Sequence, residues 1–494
     1  MAATTDGDSV ERKEEALRCD GLGRGYMWWR RRRFQLAFLC FVGFANLYAV
    51  RVNISVAIVD MVANRSVSTE NNTVTYEQDF PWDSRVQSLV LSMFFYGYVL
   101  TQLAGGWLAT RFGGARLVGI AVAGSVLLSV FTPPLAYSSL YLLMAARVLM
   151  GCFQGMVMPA MNEMWVYWAP IEERSRLITI TLSGCSFGTV IAMPASGIIA
   201  SSLSWPFVFY IFGGLGLLWY AIWVPCVKNT PENDTRISVE ELKYITERKD
   251  YSAQESKTIK TPWLKIFSSP PFIATVISHF AANYGLFMFL TELPTFMSDT
   301  LNFDLQKTGF LSALPHLVMC IVLQISGHLY DYLNKKKVLS PTLLRKLFLC
   351  GSFTIQAALL VLASYLRIPA VVALCLTMCL GAGALCYTAL CSLFMDLSPL
   401  HSSILSGISS TVANLSGMIA PVVAGFIVRN KTAEEWRIVF FIAAAVYVTA
   451  ALIFGVLGSS ERQHWAKESV AAGDNNKPHE KINISETKDV VTHM

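Results

Sequence analysis

Phe34 to Val59 reads FQLAFLCFVGFANLYAVRVNISVAIV, an apolar run broken by a single charge, Arg51. The run exceeds the about 20 residues that an α-helix needs to cross a bilayer. A cation at that depth costs about 2.5–3.5 kcal/mol on insertion scales, so it faces a partner or a water-filled cavity rather than lipid. A fixed cation inside a polytopic membrane protein points to an anion site. The competing reading is a structural Arg held by a carboxylate or by helix C-terminal carbonyls.

Working outward, about twelve runs have the length and apolarity of membrane spans. They fall in two sets of six, from 34 to 227 and from 271 to 458, joined by a polar segment, 228–270. The fold class expected is an all-α membrane protein. Within the joining segment Ser238-Val-Glu-Glu-Leu-Lys-Tyr-Ile reads as a short amphipathic helix opened by a capping box, Ser238 with Glu241. Residues 1–33 and 459–494 are polar tails, and no cleavable signal is expected before the first span. Composition agrees: 54% of residues are hydrophobic and 15% charged, below the about 25% usual for soluble chains. The net charge of +5 sits in short loops, with no basic stripe that would suit nucleic acid.

The basic loops set an orientation. Arg30 to Arg33, Arg111 and Arg116, Arg174 and Arg176, and Lys335 to Lys346 all fall on one side of a twelve-span chain, which is expected to be cytoplasmic together with both termini. The sequons at Asn64, Asn71 and Asn430 fall on the other side, where glycosylation requires them. Nearly all of the 11 cysteines lie in apolar runs, as packing residues, and no metal-site spacing occurs. No metal or cofactor is expected.

Two motifs recur at matching places in the halves. Gly106-Trp-Leu-Ala-Thr-Arg-Phe-Gly113 follows the second span, and Gly327-His-Leu-Tyr-Asp-Tyr-Leu-Asn334 follows the eighth. The first resembles the loop 2–3 signature of the major facilitator superfamily, with Thr110 where an Asp is usual; the second keeps its acid, Asp331. That resemblance implies two six-helix halves with the substrate path between them, and gives Gly106, Arg111, Gly113 and Asp331 bracing roles. In the fourth span Arg147-x-x-x-Gly151-x-x-x-Gly155 also resembles a family motif. Its glycines permit close helix packing, and Arg147, on their face, is taken as structural.

The most specific stretch is Trp165-Val-Tyr-Trp-Ala-Pro-Ile-Glu-Glu-Arg-Ser-Arg-Leu177, with Glu173 and Arg174 at its centre. It is similar to a segment of solute carrier family 17, the family of sialin, the vesicular glutamate transporters and the type I phosphate transporters. Tyr48 to Ala57, Val190 to Pro194, Thr261 to Trp263, Phe310 to Leu317 and Ser416 to Met418 agree, and the resemblance runs from Phe34 to Trp465. It implies a secondary active anion transporter working by alternating access, with Arg51 as a substrate contact through its planar donor fork. It implies a small anionic substrate, lipid surroundings and a monomeric transport unit.

The departures from the family are informative. Met150 and Gln154 stand where the sialin branch has fourth-span acids, so neither carries a proton. Ala282 and Phe394 replace an Arg and a His of the glutamate branch, which argues against vesicular glutamate transport. A sialin-like organic anion carrier and a sodium-dependent phosphate or urate carrier remain as alternatives, with sodium or protons as coupling ion and the plasma membrane or an endolysosomal membrane as location. Glu292 and His316 are the coupling candidates; Glu292 and Asp396 read as lying near helix ends, and His316 as a satisfied structural residue. Tyr96, Tyr98, Asn283 and Tyr284 are expected to line the path. An enzyme is disfavoured: Gly184-Cys-Ser-Phe-Gly188 matches a nucleophile-elbow pattern but lies inside the fifth span, without the strand–turn–helix setting.

Overall fold

The computed structural model describes residues 31–63, 65–68, 74–248, 262–301, 303–337, 339–398 and 401–466. The first half contains α1 (Arg32–Met61), α2 (Ser84–Phe112), α3 (Gly114–Ser138), α4 (Leu140–Gly155), α5 (Val157–Trp168), α6 (Ile171–Ser202) and α7 (Trp205–Cys226). Two short helices follow, α8 (Val239–Glu247) and α9 (Trp263–Phe267). The second half contains α10 (Pro270–Asp299), α11 (Leu305–Lys335), α12 (Pro341–Tyr365), α13 (Pro369–Leu397), α14 (Ser402–Asn414), α15 (Ser416–Ile427) and α16 (Ala433–Leu457). Among the described residues eleven spans are long and apolar enough to cross a membrane, α4–α5 and α14–α15 each counting as one, and α2, bent by 57° between Gln102 and Ala104, makes the twelfth. The chain is a multi-pass membrane protein.

Each half has its own apolar core. One cluster draws only on the second half and its flanks, from Ile266 to Ala466. The other runs from Phe34 to Trp223 and takes in Phe287, Leu290 and Ala313 from across the interface. On α11, Phe310, Leu314, Leu317, Ile321 and Ile325 are exposed at helical spacing, an outward stripe suited to lipid. Between α1 and α2 the sequence led us to expect a plain polar loop. It forms instead an antiparallel hairpin, β1 (Arg65–Ser68) with β2 (Val74–Glu77), in register Arg65 to Glu77. It marks one end of the bundle; the beginning of α1 and the last described residues mark the other, the terminal end.

At the terminal end the joining segment docks on the first half. Ser238 caps α8 by accepting from Glu241 N–H at 3.2 Å. The capping box is only half formed, because the Glu241 carboxylate is used elsewhere. It accepts the backbone N–H of Arg32 at 2.9 Å and of Arg33 at 3.2 Å, and so caps α1 where negative charge suits a helix N-terminus. Arg33 is buried and pairs with Glu173 at 2.6 Å and with Glu241 at 3.1 Å, while Arg32 pairs with Asp234 at 2.7 Å. In the second half Arg345 on α12 pairs with Asp396 on α13.

The signature loop works through shape more than charge. Gly113 sits at φ +88° between α2 and α3, with the Asn229 side chain where a Cβ would be. Asn229 in turn accepts from Arg116 N–H at 3.0 Å. Thr110 bonds its own helix at the Trp107 carbonyl, 2.8 Å away. Arg111 is exposed and lies over the Trp107 ring at 5.4 Å. Asp331 is also exposed, and among the described residues neither forms an ion pair. The bracing expected of these two charges is therefore not made in this conformation.

Glycines set the helix spacing that shapes the centre. A Cβ on Gly151 or Gly155 of α4 would run into the α2 carbonyls of Phe94 and Tyr98, and one on Gly97 of α2 into the Val148 carbonyl. Gly184 and Gly188 of α6 meet the Phe41 and Ala45 carbonyls of α1 in the same way, so this pair serves packing inside a helix. Gly151→Val is expected to destabilise by at least the about 1–3 kcal/mol of an overpacked core. The check is a lower thermal midpoint in detergent; a wild-type midpoint would show that α2 and α4 need not approach so closely.

Candidate functional site

Arg51 lies in the middle of α1 and is 8% exposed. Its Nε and Nη2 both donate to Gln154 Oε1, at 3.1 and 3.0 Å. Gln154 is anchored through its amide to the Leu47 carbonyl, at 3.4 Å. The guanidinium is enclosed by three rings, Tyr48 at 4.3 Å, Phe94 at 4.8 Å and Tyr98 at 4.9 Å. Cation–π contact offsets part of the desolvation cost. No carboxylate pairs with Arg51 among the described residues.

Arg147 lies against the same Phe94 ring. It is 2% exposed, its guanidinium lies 5.3 Å from the same ring, and Nη1 contacts the Met150 sulfur at 3.4 Å. Its Nε has no hydrogen-bond partner, and no carboxylate pairs with it among the described residues. The Arg-x-x-x-Gly pattern suggested a structural role. The structure instead turns this residue, with Arg51, into the lining of one cavity of about 10 Å³, completed by Ile54, Ser55, Leu91, Phe94, Phe95, Leu290 and Thr291. That volume holds about one water molecule. Leu290 and Thr291 come from α10, so the cavity lies between the halves.

The other residues singled out from the sequence are scattered. Tyr96 is 41% exposed and away from the Arg51 cavity, whereas Tyr98 covers Arg51. Asn283 is buried on α10 and accepts from Tyr387 Oη at 2.6 Å. Tyr284 is buried with its hydroxyl unpartnered. His316 is 5% exposed, with Nε2 unpartnered, and lines neither this cavity nor the second one described below. It is therefore not the satisfied histidine that its setting beside Pro315 suggested. Glu292 is 3% exposed and well inside α10, not in a solvated helix end. Asp396 does lie at a helix end, one residue before the end of α13. Asn64 and Asn71 lie outside the described residues. Asn430 is exposed between α15 and α16, its amide donating to Glu435 at 2.9 Å. Phe94, common to both guanidiniums, and Thr291 were not anticipated.

Comparison with known proteins fits this geometry. The model of the Major Facilitator Superfamily matches residues 36–349 and 342–491. Human sialin is 37% identical over 452 residues, covering 88% of this chain and 90% of sialin. Vesicular glutamate transporter 1 of Xenopus tropicalis is 35% identical over 439 residues, covering 88% and 76%. The chain belongs to solute carrier family 17. In fold it is similar to a bacterial homologue of the human lysosomal transporter Spinster in an inward-facing, occupied conformation, at 13% identity and TM-score 0.66, covering 91% of this chain and 99% of that one. It is likewise similar to the xylose transporter XylE from E. coli in an inward open conformation, at 14% identity and TM-score 0.66, covering 89% and 99%. As a member of solute carrier family 17 the protein is an anion transporter and not an enzyme.

Gln154 holds Arg51 without neutralising it. Gln154→Glu is expected to place a carboxylate on Arg51 that competes with the anion when ionised. Uptake by this variant then falls as pH rises and recovers on acidification, read as initial rate against pH; a profile parallel to wild type would count against the assignment. Arg51→Lys keeps the charge but loses the planar fork and the ring stacking. It is expected to raise the KM for uptake by about tenfold or more, since a lost charge-assisted hydrogen bond is worth about 1.5–3 kcal/mol.

Proposed function

We propose that this protein carries small organic carboxylates, of the kind sialin's branch of the family handles, by alternating access, with Arg51 and Arg147 as the anion-binding pair. The observation that carries this reading is two buried guanidiniums on one cavity between the halves, neither with a counter-ion among the described residues. Burying one unpaired cation is costly, and burying two side by side is more so. A site of this charge is completed by an anion. A carboxylate accepts from both guanidiniums, and the apolar remainder, Ile54, Leu91, Phe95 and Leu290, suits an organic body more than a bare inorganic ion.

The conformation supports a gated path. Contacts between the halves concentrate from mid-membrane to the hairpin end. Asn414 donates to Gln102 at 3.0 Å and Gln306 to Ser201 at 3.0 Å. A Cβ on Gly197 would sit 2.7 Å from the Leu305 carbonyl, and one on Gly425 2.6 Å from Ser88. The basic loops favour a cytoplasmic terminal end, and on that orientation the arrangement reads as inward-facing.

The test is uptake of radiolabelled N-acetylneuraminate and of inorganic phosphate by proteoliposomes under imposed proton, sodium or potential gradients. N-acetylneuraminate uptake abolished in Arg147→Gln is the expected result. Phosphate uptake driven by sodium, with no carboxylate uptake, would replace this reading by the phosphate one.

A further inference from the structure

A second cavity of about 10 Å³ adjoins the first, with Leu91 lining both. It is lined by Ser84, Gln87 and Ser88 of α2, Glu292 and Thr295 of α10, Ala424 and Gly425 of α15, Val428 just beyond α15, and Trp436 of α16. The first helix belongs to one half and the rest to the other. The cavity is therefore cut by the very contact that closes the hairpin end. Three of its polar atoms are buried without a hydrogen-bond partner: Glu292 Oε1, Thr295 Oγ1 and Trp436 Nε1. Ser88 shares this lining with the Glu292 carboxyl.

We propose that Glu292 is a proton-controlled latch on the hairpin-end gate of this transporter, neutral when that end is closed and ionised when it opens. Among the described residues no cation pairs with it. An ionised carboxylate buried in this way costs several kcal/mol. The neutral acid removes that cost and gains a donor. Nothing else in the lining titrates: α2 contributes two serines and a glutamine, α15 small apolar residues, and α16 an indole. Along α10 the titratable neighbours are Tyr284 and Asp299, and Asp299 carries Lys431 at 3.2 Å. Beyond Leu91 stand Arg51 and Arg147. The reaction is a simple protonation: the carboxylate takes H⁺ from hydronium on the hairpin side as that end closes, the closed interface excludes water, and the proton returns to the same side when the end reopens. Residues within two turns of α10 serve the two cavities, Leu290 and Thr291 the anion, Glu292 and Thr295 the proton. A shift of this helix is thereby felt at both.

This inference rests on the alternating-access reading but not on the identity of the substrate, so its test uses none. Two spectroscopic labels are placed on the full chain at Leu203 and Lys307, exposed positions beside the Ser201–Gln306 contact. They are carried on non-cysteine side chains because the chain has 11 cysteines. Their separation is measured in nanodiscs from about pH 5 to about pH 8, where the sign follows from one-proton linkage. The closed state binds the proton, so closure is present at low pH and lost as pH rises. The open-to-closed ratio is expected to climb by up to about tenfold per pH unit. Glu292→Gln, neutral at every pH, is expected to stay closed throughout, and Glu292→Asp to keep a response with a displaced midpoint. A wild-type distance indifferent to pH would overturn the proposal, as would a Glu292→Gln variant that titrates like wild type. So would closure produced in the wild type by sodium at fixed high pH, a measurement that needs no variant.

Discussion

Two guanidinium groups share one ring, Phe94, near the middle of a membrane protein, and no carboxylate neutralises them among the described residues. Like charges in a low-dielectric setting repel, and both pay desolvation. The surrounding fold can be understood as what makes that arrangement tolerable. Aromatic faces cover Arg51 on three sides, a neutral amide orients it, and the cavity left between the two cations is small and otherwise mostly apolar. Remove the close approach of α2 to α4 and Phe94 no longer lies against both arginines. The glycines at 97, 151 and 155 thus control the electrostatics of the site without touching it.

The same economy of small residues governs the join between halves. Gly197 and Gly309 let α6 and α11 meet backbone to backbone, while Gly417 of α15 makes room for the Phe95 ring of α2 and Gly425 for the Ser88 side chain. The terminal end is held differently, by ion pairs within each half: Arg33 with Glu173 and Glu241, and Arg345 with Asp396. Each half is braced internally and the two are joined by packing, a division of labour suited to rigid-body motion.

Much of the fold was legible because a span announces itself by length and apolarity, and Arg51 because it interrupts one. The helix breaks at Met156 and Leu415 were not, since the apolar runs continue through them. The site was only half legible. Arg147 and its glycines make a pattern that serves packing and binding alike, and only the missing counter-ion separates the two. Tyr96 and Tyr98 are two residues apart, about 200° around a helix, and composition does not say which face meets Arg51. Glu292 looked like a helix-end acid because polar residues follow closely; its burial depends on α2 and α15 folding over it, a tertiary fact with no local signature.

The amide of Gln154 has an electrical consequence. Because it orients Arg51 without adding negative charge, the cavity keeps two fixed positive charges, and on the proposed reading these are what a bound anion meets. A bound monocarboxylate halves that charge. The transmembrane field acts on whatever charge moves relative to it, at about 2.3 kcal/mol per elementary charge per 100 mV. The empty carrier is therefore the more voltage-sensitive of the two forms. Membrane potential then sets which way the unloaded site faces, and so how long it waits on each side for its next anion.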